Sequence, residues 1–217
     1  MTRLVLILAV FISFSNLNGQ GLRISVHADP QFGWITSDES HVDPKGTVFN
    51  INTGLELDFY FMRNYAFTLG ADLNNLGGKL SYTDSIAFEQ TNGTLDIPAG
   101  STLKHNLQYA GVPVGLKLKS EEIGYTSIFI HGGLYPMFNL KASTSSDDPE
   151  LVKEDIKPEI PIFSMNYFIS AGVEYNLAGS TALLIGVRWS AGFTDVTSND
   201  LANNNLNSLG LNLGILF

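Results

Sequence analysis

Eight segments of the chain alternate between apolar and polar residues, which is the pattern of a β-strand with two different faces. The last of them, residues 209–217, places three leucines, an isoleucine and a phenylalanine on one face and Gly210, Asn212 and Gly214 on the other. An apolar strand of this kind is an aggregating edge unless another strand covers it. We therefore predict that this strand closes a barrel by pairing with the first strand.

The same alternation occurs in seven earlier segments. Each places leucine, isoleucine, valine or an aromatic residue at about every second position, with glycine, small polar or charged residues between them. In the fifth segment, Ile128, Ile130 and Leu134 share one face, whereas His131 and Lys141 share the other. The seven segments cover residues 22–34, 49–59, 67–74, 109–119, 127–141, 163–176 and 183–194.

The connections between the segments alternate in length. Residues 62–64, 120–124 and 177–180 are short turns, whereas the other connections are longer, polar and rich in Asp, Asn, Ser and Thr. An even number of strands, with short turns at one end and long loops at the other, is typical of bacterial outer-membrane barrels. This layout predicts that both termini lie on the periplasmic side. The long loops are predicted at residues 37–46, 79–102, 142–161 and 197–206.

The two faces differ in bulk and charge, and this difference decides which face meets lipid. A soluble eight-stranded barrel keeps its apolar residues inside and its polar residues outside. In this chain the apolar face is the bulkier one, and the interior of an eight-stranded barrel is only wide enough for side chains. Glycines and polar residues fit that interior. Aromatic residues near strand ends, such as Trp34, Phe49, Tyr175 and Phe193, suit the two membrane interfaces.

Charged residues of both signs occur on the predicted inner face. Because buried charges must be paired, we predict that they cross-link the interior as a structural network of ion pairs. A narrow selective pore lined by the same residues is the alternative, but eight strands leave little free space. The predicted members of the network are Arg23, Asp29, Glu56, Asp58, Asp72, Lys117, Glu174 and Arg188.

Composition agrees with a membrane barrel and excludes several other classes. Apolar residues make up 44% and charged residues 15% of the chain, against roughly 25% charged residues in soluble domains. The formal net charge of −9 argues against nucleic acid as a partner. The absence of cysteine from the sequence excludes a disulfide framework and a thiolate metal site.

The first residues are typical of a secretory signal peptide. Arg3 provides the positive charge, and residues 4–14 form an apolar run that is too short to span a membrane. Small and polar residues follow, and we expect cleavage between Gly19 and Gln20. The predicted domains are a signal peptide at residues 1–19 and an outer-membrane β-barrel at residues 20–217.

Residues 109–117 read Tyr-Ala-Gly-Val-Pro-Val-Gly-Leu-Lys. The positions of Tyr109, Pro113 and Lys117 resemble a strand motif of the PorT-like outer-membrane β-barrel family of Bacteroidetes. Gly111 stands where that family usually has glutamate. Residues 132–135, Gly-Gly-Leu-Tyr, are also similar to the family, and the resemblance in layout covers the whole predicted barrel.

The resemblance implies a location in the outer membrane and, in some members, a part in protein secretion or gliding machinery. Phe217 resembles the terminal signal that the barrel-assembly machinery reads. This machinery and the outer-membrane lipid are therefore predicted partners. An envelope protein complex, docked on the loops and turns, is a third.

Catalytic chemistry is a weaker interpretation of the same chain. Outer-membrane enzymes that modify lipid A also use eight-stranded barrels, and they need a serine and a histidine that face lipid. Ser101 and His105 form the nearest pair, and no residue is placed to orient them. His27 and His131 lie on the predicted inner face, but the sequence has no H-E-x-x-H motif. We therefore predict a non-enzymatic barrel without catalytic, cofactor or metal sites.

Overall fold

The structure, a computed structural model, describes residues 21–37, 42–83, 86–90, 93–146, 154–155, 160–193 and 204–217. The signal peptide predicted at residues 1–19 lies outside this part of the chain. None of the described residues lies in a helix that is long and apolar enough to cross a membrane. The strands are β1 (Leu22–Ser37), β2 (Val42–Met62), β3 (Tyr65–Tyr82), β4 (Ile86–Gln90), β5 (Gly93–Ile97), β6 (Thr102–Gly111), β7 (Val114–Lys119), β8 (Thr126–Ser146), β9 (Glu154–Asp155), β10 (Phe163–Ala178), β11 (Thr181–Gly192) and β12 (Asn204–Leu216).

Eight strand positions close into one antiparallel ring, in the order β1, β2, β3, β6–β7, β8, β10, β11 and β12. β6 and β7 follow each other between β3 and β8, and together they fill one position. β12 pairs with β1 along a register that runs from Leu216 opposite Ser25 to Asn204 opposite Ser37. The predicted eight-stranded antiparallel barrel is therefore confirmed, including the closure of its last strand on its first.

A short interruption separates β6 from β7 at Val112 and Pro113. Proline has no N–H group to donate to the ladder, so the interior of a sheet accepts it only at an irregular position. Both neighbouring strands still bond to the interruption. Gly70 N donates to Pro113 O at 2.8 Å, and Val112 N donates to Pro136 O at 2.9 Å. The barrel wall thus stays closed where the strand is broken.

The two faces of the wall are distributed as the alternation predicts. In β1, Ile24 is 43% exposed, whereas Ser25 and His27 are buried. In β12, Leu211 is 49% exposed, whereas Asn212 is buried. In an outer-membrane barrel, outward apolar side chains face lipid, where their exposure is favourable.

Aromatic residues cluster on the outside at both ends of the apolar wall. On the loop side, Phe32 contacts Phe49 with ring centroids 5.5 Å apart. On the turn side, Tyr125 contacts Tyr175 with ring centroids 6.3 Å apart. Such girdles are typical of the two membrane interfaces. Further pairs on the loop side are Phe138–Phe163, Tyr167–Trp189 and Tyr167–Phe193.

The strands on the loop side extend further than the alternation predicts. β2 begins at Val42, β3 ends at Tyr82, β6 begins at Thr102 and β8 ends at Ser146. The predicted loop at residues 79–102 also contains the hairpin of β4 and β5. These predicted loop boundaries are wrong because the outward residues become polar beyond the apolar wall, which hides the alternation.

Lys141 is exposed, although the alternation predicts it on the inner face. The cause is a bulge in β8. Gln108 pairs with Lys141 and its neighbour Tyr109 pairs with Asn139, so Leu140 is an extra residue in the ladder. A bulge of this kind places two residues opposite one and disrupts the regular alternation. Leu140 and Lys141 therefore both point outward, and the alternation resumes in the opposite phase.

The interior has an apolar layer at each end and a polar layer between them. Leu76, Leu80, Leu103 and Leu107 lie on the same inner face as the polar residues, but nearer the loops. The predicted polar interior is thus confined to the middle of the barrel. The loop-side layer consists of Ile35, Leu76, Leu80, Leu103, Leu107, Tyr109, Tyr135, Met137, Ala142, Ile160, Phe168 and Leu206, and the turn-side layer consists of Phe129, Ala182, Leu184 and Leu216.

We expect the substitution Leu211→Lys to destabilise the barrel by about 2–4 kcal/mol, because it places an ammonium group in the middle of the lipid-facing wall. The matched control is Thr47→Lys, at an exposed position of β2 on the loop side of the apolar wall. It should change the free energy of unfolding by no more than about 1 kcal/mol. Reversible urea unfolding in phospholipid vesicles measures both variants. Equal effects would contradict the assignment of this wall to lipid.

Candidate functional site

The polar middle layer of the interior is the candidate site, because it gathers many of the titratable side chains of the barrel. Inner positions of the strands point towards a common axis, so residues far apart in sequence become neighbours. Arg23 of β1 and Glu174 of β10, which are 151 positions apart, are an example. The layer contains two clusters of charges, one around Glu174 and one around Arg188.

Glu174 is the centre of the cluster on the turn side. Its carboxylate lies 2.7 Å from Lys117 Nζ, 3.2 Å from Lys119 Nζ and 3.3 Å from Arg23 Nη1. Lys117 Nζ also lies 2.8 Å from Asp58 Oδ2, and the side chains of this pair are 1% and 2% exposed. Breaking such a pair leaves an uncompensated buried charge, which is strongly unfavourable. The Glu174 cluster therefore ties β1, β2, β7 and β10 together across the interior.

Arg188 is the centre of the second cluster. Its guanidinium lies 3.7 Å from Asp29 Oδ2 and 3.5 Å from Glu56 Oε2. The other oxygen of Asp29 accepts hydrogen bonds from Asn212 Nδ2 and from the backbone N–H of Leu213, both at 3.0 Å. Asp29 thus joins β1 to β12 from the inside, at the seam where the barrel closes.

Two buried histidines extend the Arg188 cluster. His27 Nδ1 lies 2.9 Å from Asp29 Oδ2, and His131 Nδ1 lies 3.8 Å from Glu56 Oε1. The other ring nitrogen of His131 lies 2.8 Å from Thr68 Oγ1, which gives the order hydroxyl, imidazole, carboxylate of a nucleophilic triad. Thr68 and His131 are each only 1% exposed. A substrate therefore has no access to this hydroxyl group, and the arrangement serves to pair buried polar groups.

Asp72 differs from the other predicted network members, because its described contacts are hydrogen bonds. It accepts a hydrogen bond of 2.7 Å from Tyr135 OH, and its other oxygen lies 3.5 Å from Asn52 Nδ2. Gly111 is paired with Asp72 in the ladder, and a Cβ at position 111 would collide with the Asp72 carboxylate and the Tyr135 ring. A glutamate, which usually stands at this position in the PorT-like motif that residues 109–117 resemble, would require the Asp72 and Tyr135 side chains to move. Asp72 supplies a carboxylate at the same place from the neighbouring strand.

Seven of the eight predicted network residues form ion pairs among the described residues, and Asp72 is the eighth. The alternation predicts Lys119 as a further inward charge, and it pairs with Glu174. It also places His27, His131 and Tyr135 on the inner face but does not identify them as partners in the network. Their predicted inward positions are the feature of the sequence that indicates a place in the network. Which strands face each other across the axis depends on register, which the sequence does not display.

Ser101 and His105 are not brought together as a lipid-facing pair. His105 lies on the inner face of β6 and is 5% exposed. Ser101 precedes β6, and four residues of extended chain span roughly 13 Å. Within the described part of the chain, no group of three or more His, Cys, Asp or Glu side chains is arranged to hold a metal ion.

We expect Lys117→Met to destabilise the barrel by about 3–5 kcal/mol, because it leaves Asp58 and Glu174 buried without their closest cation. The matched control is Arg63→Gln, which removes an 80% exposed cation that pairs with Glu121 at 3.1 Å. It should cost at most about 1 kcal/mol, because water screens an exposed pair. Both values come from urea unfolding in vesicles. A similar small loss for both variants would refute a structural role of the Glu174 cluster.

Comparisons with known proteins place this geometry in a family. The family model for the outer membrane protein beta-barrel domain matches residues 13–198. No curated protein sequence matches the chain. Among solved structures, Neisserial surface protein A is 12% identical, with 91% of this chain and 98% of that chain covered and a TM-score of 0.48. Ail of Yersinia pestis is 14% identical, with 91% and 100% covered and a TM-score of 0.43.

The outer membrane protease OmpT of Escherichia coli is also similar in structure. It is 6% identical, with 93% of this chain and 99% of that chain covered and a TM-score of 0.52. At this identity the likeness shows the barrel fold and nothing about chemistry. The match of the family model over most of the sequence, together with the closed ring of strands, shows that the chain belongs to the outer membrane protein beta-barrel domain family and is located in the outer membrane.

Proposed function

We propose that this protein is a closed, non-enzymatic barrel whose loops and turns dock other components of the cell envelope. The observation that carries the proposal is the filled interior, in which ion-paired polar residues lie between two apolar layers. A barrel with a filled interior has only its two exposed ends on which a water-soluble partner can act.

The loop-side apolar layer is the main barrier in this interior. It receives side chains from β1, β3, β6, β8, β10 and β12, so it spans the barrel from wall to wall. Tyr109, Tyr135 and Phe168 in this layer are at most 3% exposed. Side chains in such interiors pack with few voids as large as a water molecule. Ions would therefore have no continuous aqueous path through the layer.

A narrow pore is the second candidate function, and two observations favour it. Ser170 Oγ and Arg188 Nε are buried without a hydrogen-bond partner in the described protein, so we expect water molecules beside them. A cavity of about 400 Å³ also opens on the turn side of the barrel. The cavity reaches Arg23 and Lys119 of the Glu174 cluster, so water has access to this cluster from the turn side, and the loop-side layer separates it from the loop end of the barrel. The cavity is lined by Gly21, Arg23, Tyr60, Arg63 and Lys119.

We expect the purified barrel to show no steady conductance in planar lipid bilayers, because the loop-side apolar layer blocks the passage of ions. A general porin in the same bilayers is the positive control. Heat-dependent migration on gels, measured on vesicles of the same lipid, verifies that the protein is folded and inserted. Long-lived stepwise currents would contradict the closed interior and favour the pore.

Catalytic activity is not part of the proposal, because the candidate groups face the interior. The hydroxyl group of Thr68 and the ring of His105 are both buried. An enzyme that modifies lipid would need such groups on its outer wall, where leucine, isoleucine, valine and aromatic residues predominate.

The resemblance to the PorT-like family supports a further part of the proposal, namely that the docking partners belong to a secretion or gliding machinery. The three matching residues occupy defined places in the structure. Tyr109 is in the loop-side layer, Pro113 interrupts the strand and Lys117 is in the Glu174 cluster. We also propose Phe217 as the signal for barrel assembly. Its side chain is 53% exposed on the outer wall, and its backbone N–H donates to Ile24 O at 2.8 Å.

Deletion of this protein from its native bacterium should abolish protein secretion or gliding, and the wild-type chain should restore it. Ile123, in the turn before β8, is 74% exposed and offers an apolar contact to a partner. Complementation with Ile123→Ser should restore less activity, whereas the neighbouring exposed variant Glu122→Ser should restore it fully. Unchanged secretion and gliding after deletion would refute this assignment and would leave the closed interior untouched.

A further inference from the structure

Four lysines lie on the outside of the barrel, on the loop side of the apolar belt, which is the band of outward apolar residues that faces lipid. Lys45, Lys79, Lys104 and Lys141 come from β2, β3, β6 and β8, which are consecutive around the ring. We call them the outer-wall lysine cluster. They are concentrated on one side of a chain in which 21 acidic residues outnumber 12 lysines and arginines.

Lys79 and Lys104 are directly opposite each other in the ladder between β3 and β6. Both point outward, because their neighbours Leu80 and Leu103 are buried in the loop-side layer. Like charges in directly opposed positions destabilise a sheet. Lys45 is next to Gly46, which pairs with Lys79 from the other side. Lys79 and Lys104 are therefore cross-strand neighbours, and Lys45 occupies the irregular position beside the residue that faces Lys79 on the other side.

The described part of the chain provides little compensation for these charges. Lys45 Nζ lies 3.8 Å from Asp43 Oδ2, and both side chains are at least half exposed. Lys79, Lys104 and Lys141 form no ion pair with any described residue. An anion that approached from outside the wall would therefore meet a cluster of accessible positive charge.

The outer wall changes in steps from the apolar belt to the lysines. On β3, the outward positions after Leu73 are Asn75, Gly77 and Lys79. Asn75 Oδ1 accepts a hydrogen bond of 3.1 Å from Gln108 Nε2 on β6, which places a band of amides next to the belt. Lys79 lies six positions beyond Leu73, which is roughly 20 Å along a strand and about 15 Å along the axis of a tilted barrel. On β3 and β6 the wall thus presents apolar groups, then amides, then the cations Lys79 and Lys104, whereas Lys141 on β8 is level with the amides, opposite Gln108.

We propose that the outer-wall lysine cluster binds the phosphate groups of lipopolysaccharide, the anionic glycolipid of the outer leaflet. The order of groups on the wall matches the order in that leaflet, where hydrocarbon is followed by sugar hydroxyls and by phosphates. Clusters of lysine next to a membrane segment are attracted to anionic lipid head groups. A phosphate between Lys79 and Lys104 would also relieve their repulsion. The inference depends on the outer-membrane location and not on the docking role proposed above.

The test measures thermal unfolding of the detergent-solubilised barrel while purified rough lipopolysaccharide is added. A ligand that binds only the folded state raises the unfolding temperature, and the rise grows with the logarithm of the ratio of ligand concentration to Kd. We expect the double variant Lys79→Gln/Lys104→Gln to bind the glycolipid roughly ten- to thirtyfold more weakly than the wild type. The variant Lys79→Arg/Lys104→Arg, which keeps both charges, should bind within about threefold of the wild type.

Three further measurements show whether the stabilisation depends on these lysines, on the phosphates and on the lipid. Arg63→Gln removes an exposed cation at the opposite end of the barrel and should leave affinity unchanged. Lipopolysaccharide from which the phosphates have been removed should stabilise the wild type and the double variant equally. Inorganic phosphate at the same concentration should stabilise neither. Equal stabilisation by inorganic phosphate would overturn the lipid assignment, as would equal binding by the wild type and the glutamine variant.

The stability of the variants in the absence of glycolipid distinguishes lysines that bind lipid from lysines that pair with acidic residues of the chain. The glutamine variant should be at least as stable as the wild type in plain detergent, because it removes a repulsive pair. A lower stability there would show that the lysines pair with acidic residues of the chain itself, and would overturn the proposal. If the double variant does not fold, the single exposed variant Lys104→Gln replaces it, with an expected loss of roughly three- to sixfold in affinity.

Discussion

The backbone N–H and C=O groups of a sheet find no water inside a lipid bilayer, so the sheet can span the bilayer only if its last strand pairs with its first. In this protein that seam is the ladder between β1 and β12. Asp29 strengthens it from the inside, because its carboxylate accepts hydrogen bonds from the Asn212 side chain and from the backbone of Leu213. Arg188 of β11 pairs with the same carboxylate. The buried charges and the closure of the ring are therefore parts of one arrangement.

The polarity of the inner face depends on whether lipid or water surrounds the outer face at the same height of the barrel. Where leucines and valines of the wall face lipid, the inner face carries the charged clusters. Near the loops the relation is reversed, since Lys79 and Lys104 point outward while Leu80 and Leu103 are buried inside. That part of the barrel is built like a soluble one, with its apolar residues in the core. The change from one arrangement to the other gives the protein both a membrane anchor and an apolar barrier above its polar layer.

Because the interior is filled with side chains, the surfaces that can bind a partner are the outer wall and the two ends of the barrel. The turn side has an exposed apolar residue at Ile123 and a cavity with three cationic side chains. The loop side has the outer-wall lysine cluster. These features differ in the partners they suit, since apolar side chains favour protein contacts and exposed lysines favour anionic lipid. A small barrel can thus be held at a defined height in the membrane while its ends remain free to bind.

The sequence by itself determined the number of strands, their alternation and the face that meets lipid, because these depend on a period of two that local residues display. Leu211 beside Asn212 is sufficient to orient β12. The loop-side core was also visible in principle, because Leu76, Leu80, Leu103 and Leu107 continue the inner positions of their strands. Tertiary structure alone decided which charges meet around Glu174, since those contacts join four strands through their register. It also decided that a bulge turns Lys141 outward and that Asp72 fills the space beside Gly111, because both outcomes depend on a neighbouring strand.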